Sequence, residues 1–228
     1  MKGGTPQDKD IDMKELGRQL GCPSGENGIS VAKMMNESNA AMTLNTIAFL
    51  GLGDGHTVLE LGPANGAHLA DVMAKANDLR YYGLDISETM VQEARKINAA
   101  LMSRYAVSFE HYDGQHIPYD DHTFDRIMTV NTIYFWSDPR ALISGLERTL
   151  KPGGSCVISF VQKEFMKNLP FVGENFQLYD DNDMRELVRH SAMELVDLAS
   201  RTEEVRTKSG ERVQRTYSMA KLKKPDAN

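Results

Sequence analysis

The fold of this chain is decided by the stretch VLELGPANGAHLADVMAKANDLRYYGLDIS, which runs from Val58 to Ser87. It begins as an apolar strand, breaks at glycines, continues with helical spacing and ends in a second strand that finishes in an acid. This order predicts a β-α-β unit, in which a right-handed crossover joins two parallel strands. The carboxyl ends of both strands therefore lie on one rim of a sheet.

The same alternation of strand and helix patterns continues along the chain. Strands are predicted over 57–61, 80–84, 107–112, 126–130 and 155–161, the last after the turn Lys151-Pro152-Gly153-Gly154. Helices are predicted over 67–76, 88–100 and 139–150. This alternation is typical of an α/β fold with a mostly parallel sheet.

The C-terminal part has a different pattern. A helix is predicted over 182–193, and residues 194–205 and 211–222 alternate between apolar and polar around the turn Lys208-Ser209-Gly210. Two such segments predict an antiparallel hairpin. The sequence therefore predicts seven strands in a mostly parallel sheet that ends in a C-terminal antiparallel hairpin.

The N-terminal part is polar and rich in glycine except for an amphipathic stretch at 13–20, so residues 1–27 predict a flexible arm ending in a short helix. Residues 29–50 have helical spacing that is interrupted at 36–39, which predicts two helices with a cap between them. A chain of 228 residues suits a single core. We expect residues 1–50 to cover the site and residues 51–228 to form the main body of one domain.

Composition narrows the possible partners. The formal net charge is −6, and the longest basic block is the KLKK ending at Lys224, so a nucleic-acid partner is not expected. Cys22 and Cys156 form no C-x-x-C pair, which favours a reducing compartment. The N-terminus has no apolar signal-peptide core, and no segment has the 18 or so apolar residues of a membrane span. These features predict a cytoplasmic protein without a membrane partner.

Three predicted strands each end in an acid: Glu60 near the end of the first, Asp85 after the second and Asp113 after the third. Glycines beside them let backbone approach a ligand closely. The expected ligand is a nucleotide, because ligands of open α/β sheets bind at this rim. Ala64 replaces the second glycine of the dinucleotide fingerprint, and three carboxylates suit a ligand with sulfonium and ammonium charges. S-adenosylmethionine therefore fits better than NAD.

Four motifs occur in order along the chain: VLELGPANG (58–66), YGLDIS (82–87), HYDGQHIPYDDHTFDRI (111–127) and LERTLKPGGSCVISF (146–160). From about Asn36 to Val161 the sequence resembles the class I S-adenosylmethionine-dependent methyltransferases, in their small-molecule, type-11-like group. The resemblance implies a Rossmann-like three-layer sandwich, S-adenosyl-L-methionine as cofactor and S-adenosyl-L-homocysteine as product.

The resemblance also implies which residues contact the cofactor. They are Glu60, Gly62, Ala64 and Gly66 around the methionine part, Asp85 on the ribose hydroxyls, Asp113, Gly114 and Gln115 at the adenine, and in addition Ile86, Met90 and Asn131. Ala64 departs from the family, which usually has glycine at that position.

The acceptor side carries less signal. Aromatic residues suit a small, partly apolar or aromatic acceptor, and the candidates for its wall are Tyr134, Trp136, Phe176 and Tyr179. No catalytic base can be named, and the oligomeric state stays open. Metal dependence is not expected, since Asn131 and Gln162 stand where metal-dependent relatives have acidic ligands.

Alternative functions stay open. Asn131 and Tyr134 are similar to the ends of the N-P-P-Y motif of amino-methylating enzymes that act on nucleic acid, but the two prolines are absent. Tyr217 and Lys221 have the Y-x-x-x-K spacing of NAD-dependent oxidoreductases, but on a predicted strand. A third alternative is a non-catalytic module that binds S-adenosylmethionine.

Overall fold

A computed structural model describes residues 12–206 and 212–227. The predicted turn at 208–210 and most of the predicted N-terminal arm lie outside these residues. Across the described ranges, none of the helices combines the length and apolar character that a membrane crossing needs.

The described strands form one seven-stranded sheet in the order β3-β2-β1-β4-β5-β7-β6. The strands are β1 (Thr57–Leu61), β2 (Arg80–Asp85), β3 (Ala106–His111), β4 (Phe124–Val130), β5 (Leu150–Val161), β6 (Glu194–Arg206) and β7 (Arg212–Lys223). Pairing is parallel from β3 through to β5, and β7 is antiparallel to both of its neighbours. The predicted α/β class, strand number and C-terminal antiparallel pair are confirmed.

The helices connect these strands and precede them. They are α1 (Met13–Gly21), α2 (Gly25–Leu50), α3 (Leu69–Met73), α4 (Glu88–Ile97), α5 (Ala99–Met102), α6 (Pro139–Thr149), α7 (Lys163–Met166) and α8 (Asp181–Val188), with a 3-10 turn at Ile133–Phe135. Three of the predicted helices differ from expectation: 67–76 forms only α3, 88–100 divides into α4 and α5, and 182–193 ends early, at Val188.

Strand order places the helices on both faces of the sheet. The chain moves from β1 to β2 to β3 in one direction and from β4 to β5 in the other. Because the crossovers are right-handed, α3 and α4 lie on one face and α6 lies on the opposite face. The direction reverses between β1 and β4, and this reversal marks the place where an open α/β sheet binds its ligand.

The prediction of two helices over 29–50 is wrong, because α2 runs without a break for 26 residues. The polar groups in the middle of α2 form hydrogen bonds with distant parts of the chain. Asn36 Nδ2 donates to Asn65 Oδ1 at 2.9 Å, and the guanidinium of Arg215 donates to Asn39 Oδ1 at 3.0 Å and to the Ser38 carbonyl at 2.7 Å. These contacts keep polar residues inside the helix that would otherwise favour a cap.

The predicted turn at 151–154 lies inside β5 as an irregularity rather than before the strand. Leu150 pairs with Phe124 and Ser155 pairs with Arg126, so the β5 side contains extra residues. Gly153 has φ +74°, which glycine adopts readily. Its N–H donates to the Lys224 carbonyl, and the Lys224 N–H donates back to Gly154. The C-terminal segment therefore holds this bulge in place.

Candidate functional site

A cleft opens at the carboxyl rim where β1 and β4 lie side by side. Its floor is the loop after β1, and helices α1 and α2 form the opposite wall. Eight of the residues predicted from the sequence line it: Glu60, Gly62, Ala64, Asp85, Ile86, Gly114, Asn131 and Trp136. The rim of the sheet therefore gathers residues from three separate motifs.

The loop after β1 depends on left-handed backbone. Gly62 has φ +70°, and a Cβ atom there would collide with the side chain of Thr132. Ala64 has φ +50°, a conformation that non-glycine residues rarely adopt. The Ala64 N–H donates to Asp85 Oδ2 at 2.9 Å. This bond to β2 holds Ala64 in a backbone conformation that favours glycine.

Asp85 is almost fully buried and fixes two backbone segments. Besides accepting from Ala64, its Oδ1 accepts from the Ser87 N–H at 2.9 Å. Burial raises the pKa of the Asp85 carboxyl to about 6, although both backbone bonds act in the opposite direction. Each carboxylate oxygen can accept a further bond, so Asp85 can also receive ligand hydroxyls.

Glu60 lies at the base of the cleft in a polar cluster with His68 and Tyr81. The Nε2 atom of His68 lies 2.9 Å from both carboxylate oxygens of Glu60, and the Tyr81 hydroxyl donates to Oε2 at 2.5 Å. Burial lowers the pKa of His68, but the charge and hydrogen bond of Glu60, together with the charge of Asp71, raise the net pKa above its usual value. Glu60 is thus a paired carboxylate, as a buried charge requires.

Five predicted residues line neither this cleft nor the second cavity described below. Gly66 has φ +60° and supports the loop from below, where a Cβ would meet the Phe109 ring at 2.9 Å. Met90 is fully buried in the core. Tyr179 packs edge-on against Phe160 and donates to Gln177. Gly66, Met90 and Tyr179 therefore contribute to the frame around the site.

Asp113 and Gln115 are the other two, and both are exposed. The Asp113 carboxylate accepts from the backbone N–H groups of Gln115 and His116 and from His116 Nδ1. These bonds hold the pKa of Asp113 well below its usual value. The acid thus shapes its own loop, and this loop delivers Gly114 to the cleft.

A second cavity, of about 930 Å³, adjoins the cleft. Its walls are mainly apolar and come from α1, α2, the segment after β5 and the end of the β6–β7 hairpin. The two cavities share five lining residues: Leu20, Met35, Asn39, Asn131 and Phe135. Tyr134 and Phe176 face the second cavity, whereas Trp136 faces the cleft. We call the second cavity the acceptor cavity below.

Asn131 stands at the junction of the cleft and the acceptor cavity. It has φ +58°, and its Oδ1 accepts from the Tyr134 hydroxyl at 2.9 Å. The same hydroxyl accepts from the Val161 N–H at 2.5 Å. Tyr134 is fully buried and committed to these bonds, so its hydroxyl orients Asn131 and joins β4 to β5. The Asn131 Nδ2 atom donates one N–H to Met42 Sδ at 3.6 Å, and its second N–H has no partner among the described residues.

The Y-x-x-x-K residues have structural roles. The Tyr217 hydroxyl accepts from Asn45 Nδ2 at 2.8 Å, and Lys221 Nζ donates to the Phe49 carbonyl at 3.1 Å. Both residues lie on β7 and tie it to α2. Neither lines the cleft. The spacing that suggested an oxidoreductase is therefore explained by packing.

Metal ligation has no candidate within the described ranges, where no three His, Cys, Asp or Glu side chains converge. Gln162 donates to Asp181 Oδ1 and to Ser218 Oγ, both at 2.6 Å. Its amide is therefore engaged in the packing of α8 on the sheet.

Sequence reasoning missed several residues that line the cleft: Asn36 and Thr43 of α2, His68, Tyr112, Thr132 and Phe135. His68 lies next to the glycine loop, and its proximity to Glu60 was the signal available. The α2 residues carry no such signal, because only the packing of that helix brings them to the rim.

Comparison with known proteins gives the family context. Residues 59–158 match a family model described as a methyltransferase domain. The uncharacterized methyltransferase YdaC of Bacillus subtilis is 27% identical over 58% of this chain and 70% of its own length. The 27-O-demethylrifamycin SV methyltransferase of Amycolatopsis mediterranei is 33% identical over 53% of this chain, which spans only 44% of that protein.

One solved structure has the same fold over nearly the whole chain. It is the phosphoethanolamine N-methyltransferase 2 of Haemonchus contortus, in complex with phosphomonomethylethanolamine and S-adenosylhomocysteine. The TM-score is 0.69 at 12% identity, and the alignment covers 95% of this chain and 61% of that one. At this identity the likeness concerns the fold alone.

Proposed function

We propose that this chain is a class I S-adenosylmethionine-dependent methyltransferase that methylates a small, partly apolar or aromatic acceptor with S-adenosylmethionine as the methyl donor. One observation carries the proposal: the cleft at the strand reversal opens directly into a separate, mainly apolar cavity. Two adjoining chambers suit a reaction in which two ligands must meet.

The residues of the cleft fit the cofactor. Backbone at Gly62 approaches Thr132 so closely that it leaves no room for a Cβ, and Asp85 keeps free lone pairs beside it. We assign Asp85 to the ribose hydroxyls, the loop at 62–64 to the methionine part, and Ile86 with Gly114 to the adenine. The sulfonium cofactor supplies an already activated methyl group, whose transfer leaves the electron pair of the broken bond on sulfur.

The contribution of the chain is mainly positioning. An in-line approach of the acceptor atom accounts for much of the rate in such a transfer, so the junction at Asn131 is the critical place. The bond from Tyr134 fixes the Asn131 amide, which can donate to an oxygen of the acceptor. The apolar walls exclude water from the junction, and no base is needed unless the acceptor must lose a proton.

The acceptor cavity supports the small-molecule class. A volume of about 930 Å³ is in the range of cavities that bind small ligands. Apolar and aromatic side chains from α7 and the loop after it, including Phe165, Phe171 and Phe176, form much of its wall. One relative is named for a small-molecule acceptor, 27-O-demethylrifamycin SV. Both facts favour a flat or partly apolar acceptor.

Labelled-methyl transfer tests the proposal. Purified protein is incubated with methyl-labelled S-adenosylmethionine and with separated small-molecule, protein and nucleic-acid fractions of a cell extract. Label should enter one small-molecule fraction. Label in nucleic acid would instead support the amino-methylating alternative, and calorimetric binding of the cofactor without any transfer would support a non-catalytic module. Calorimetry that finds NAD binding and no S-adenosylmethionine binding would overturn the assignment.

Three alanine variants then locate the two ligands. Phe176→Ala should lower kcat/KM for the acceptor while the Kd of the cofactor changes less than about threefold. Trp136→Ala should weaken cofactor binding, because this ring faces the cleft. Tyr179→Ala is the matched control, since Tyr179 is a buried aromatic residue outside both linings. Equal losses in Phe176→Ala and Tyr179→Ala would mean that Phe176 acts only through packing.

A further inference from the structure

Among the described residues that line the cleft, His68 is the one with an imidazole, and its two ring nitrogens have different surroundings. Nε2 is held by both oxygens of Glu60. Because an ionised carboxylate can only accept, Nε2 carries the hydrogen. Nδ1 has no hydrogen-bond partner among the described residues. Within the same residues, the fully buried polar side-chain atoms without a partner are Ser108 Oγ and the Tyr119 hydroxyl, so Nδ1 is at least partly exposed. Because His68 lines the cleft, a ligand in the cleft can reach this exposed ring atom.

In the Glu60–His68 pair, the carboxylate lies deeper in the protein and the imidazole lies nearer the surface of the cleft. The Glu60 side chain is 2% exposed, whereas that of His68 is 18% exposed. Tyr81 donates to Glu60 from behind, so the carboxylate is held from two sides. When the imidazole is protonated, the group presented to the cleft is Nδ1–H with a positive charge.

We propose that His68 is a cofactor-binding residue whose protonated Nδ1–H binds the carboxylate at the amino-acid end of the cofactor, so that cofactor affinity depends on the His68 proton. This inference rests on the proposed function, since it assumes a cofactor with an amino-acid end. Glu60 keeps His68 protonated and fixes the ring plane, and it is the positioning residue of the pair.

None of the other described groups around His68 supplies a positive charge that could bind the cofactor carboxylate in its place. Asp71 of α3 and Glu60 of β1 are both acidic and raise the pKa of His68, and Tyr81 of β2 is a hydroxyl donor committed to Glu60. Helix α2 presents uncharged side chains to the cleft, Asn36 and Thr43 among them. Asp85 is the other titrating acid of the cleft.

Asp85 must be separated from His68 in any test. As the pH rises, Asp85 becomes a carboxylate and should bind ribose hydroxyls better, whereas His68 loses its proton and should bind the cofactor carboxylate less well. These effects have opposite signs in the wild-type protein. The ratio of the Kd values of a His68 variant and the wild type cancels the Asp85 contribution, because both proteins contain Asp85.

The test is calorimetry of S-adenosylhomocysteine binding to wild-type protein and His68→Gln, which can still donate to Glu60 but cannot become charged. NMR of the wild type first gives the midpoint of the His68 titration. More than one pH unit below that midpoint, the variant should bind about tenfold more weakly, as expected for a lost charge-assisted bond. More than one unit above it, the Kd values should agree within about threefold.

Two controls make the outcome specific. Tyr81→Phe removes the other partner of Glu60 and should keep the pH dependence of the wild type. Near the midpoint, wild-type protein should take up more protons on binding than His68→Gln does, measured in buffers of different ionisation enthalpy, because both proteins share the Asp85 contribution. An equal loss in His68→Gln at every pH, or no loss at all, would overturn the inference and leave the proposed function intact. A wild-type protein that binds no S-adenosylhomocysteine would contradict the proposed function itself.

Discussion

Replacing Asp85 by Asn should change how the stability of the ligand-free protein depends on pH. Burial raises the pKa of Asp85 from 3.8 to about 6. A carboxyl group with a higher pKa in the folded chain than in the unfolded chain binds protons more strongly when folded. The free energy of unfolding therefore falls as the pH rises between these two values, and the loss is complete above the folded-state pKa.

The size of the effect follows from the two pKa values. A rise from 3.8 to about 6 corresponds to a loss of about 3 kcal/mol when the group is fully ionised. Between pH 5 and pH 8 the expected part of this loss is roughly 1.4 kcal/mol. Asp85→Asn does not titrate, but one of its amide hydrogens faces a backbone N–H. That mismatch lowers the free energy of unfolding of the variant by about 1–3 kcal/mol at every pH. It therefore adds a constant to the difference between wild type and variant and does not change how that difference depends on pH.

Urea unfolding at pH 5, 6, 7 and 8 measures the difference, provided that wild type and variant share the same m-value. Relative to Asp85→Asn, the wild type should lose about 1.4 kcal/mol between pH 5 and pH 8. Asp125→Asn is the control with the same chemical change. Burial acts to raise the pKa of Asp125, but bonds from Lys151 and the Thr57 N–H lower it below its usual value.

The Asp125 comparison should stay flat over this range, because both of its pKa values lie below the lowest pH used. A flat difference for Asp85→Asn as well would refute the reasoning. It would mean that the two backbone N–H donors compensate fully for burial, and that Asp85 is ionised without loss of stability.

Other substitutions test the site and its frame. Asp85→Ala should weaken S-adenosylhomocysteine binding by about 10- to 1,000-fold, measured by calorimetry, and unchanged affinity would remove this acid from the ribose site. Tyr134→Phe leaves the buried Val161 N–H without its acceptor and should lower the free energy of unfolding by about 1–3 kcal/mol; no change would mean that water replaces the hydroxyl. Arg215→Met should destabilise by about 1–3 kcal/mol by leaving the partly buried Glu203 unpaired, and adding Glu203→Leu should recover most of the loss. A chelator should leave methyl transfer unchanged, and a loss restored by magnesium would contradict this.

The local sequence was sufficient to predict which segments form the strands of the sheet. The prediction for β1 matches the observed Thr57–Leu61, and β2 differs from its prediction only by the addition of Asp85. Short apolar runs between turn residues and helical segments fit buried parallel strands, and right-handed crossovers then fix where the strands end. The order of the motifs was therefore enough to place Glu60, Asp85 and the loop after Asp113 on one rim.

Long-range contacts were needed for α2. Its polar middle has the local signature of a cap, yet Arg215, 176 residues from Asn39, satisfies those side chains within a continuous helix. This contact brings the helix and the end of the β6–β7 hairpin together, and both line the acceptor cavity. A pattern within one segment cannot reveal a partner so far along the chain.

The sequence by itself determined the sheet, its rim and the residue types gathered there. Only the tertiary structure decided which of those residues face the cleft: Asp85 lines it, while Asp113 turns to the amides of its own loop. It also placed Trp136 and Phe176 in different cavities and joined His68 to Glu60. The physical reason is that backbone periodicity sets where a residue stands, whereas the direction of its side chain depends on the donors, charges and volumes that packing brings next to it.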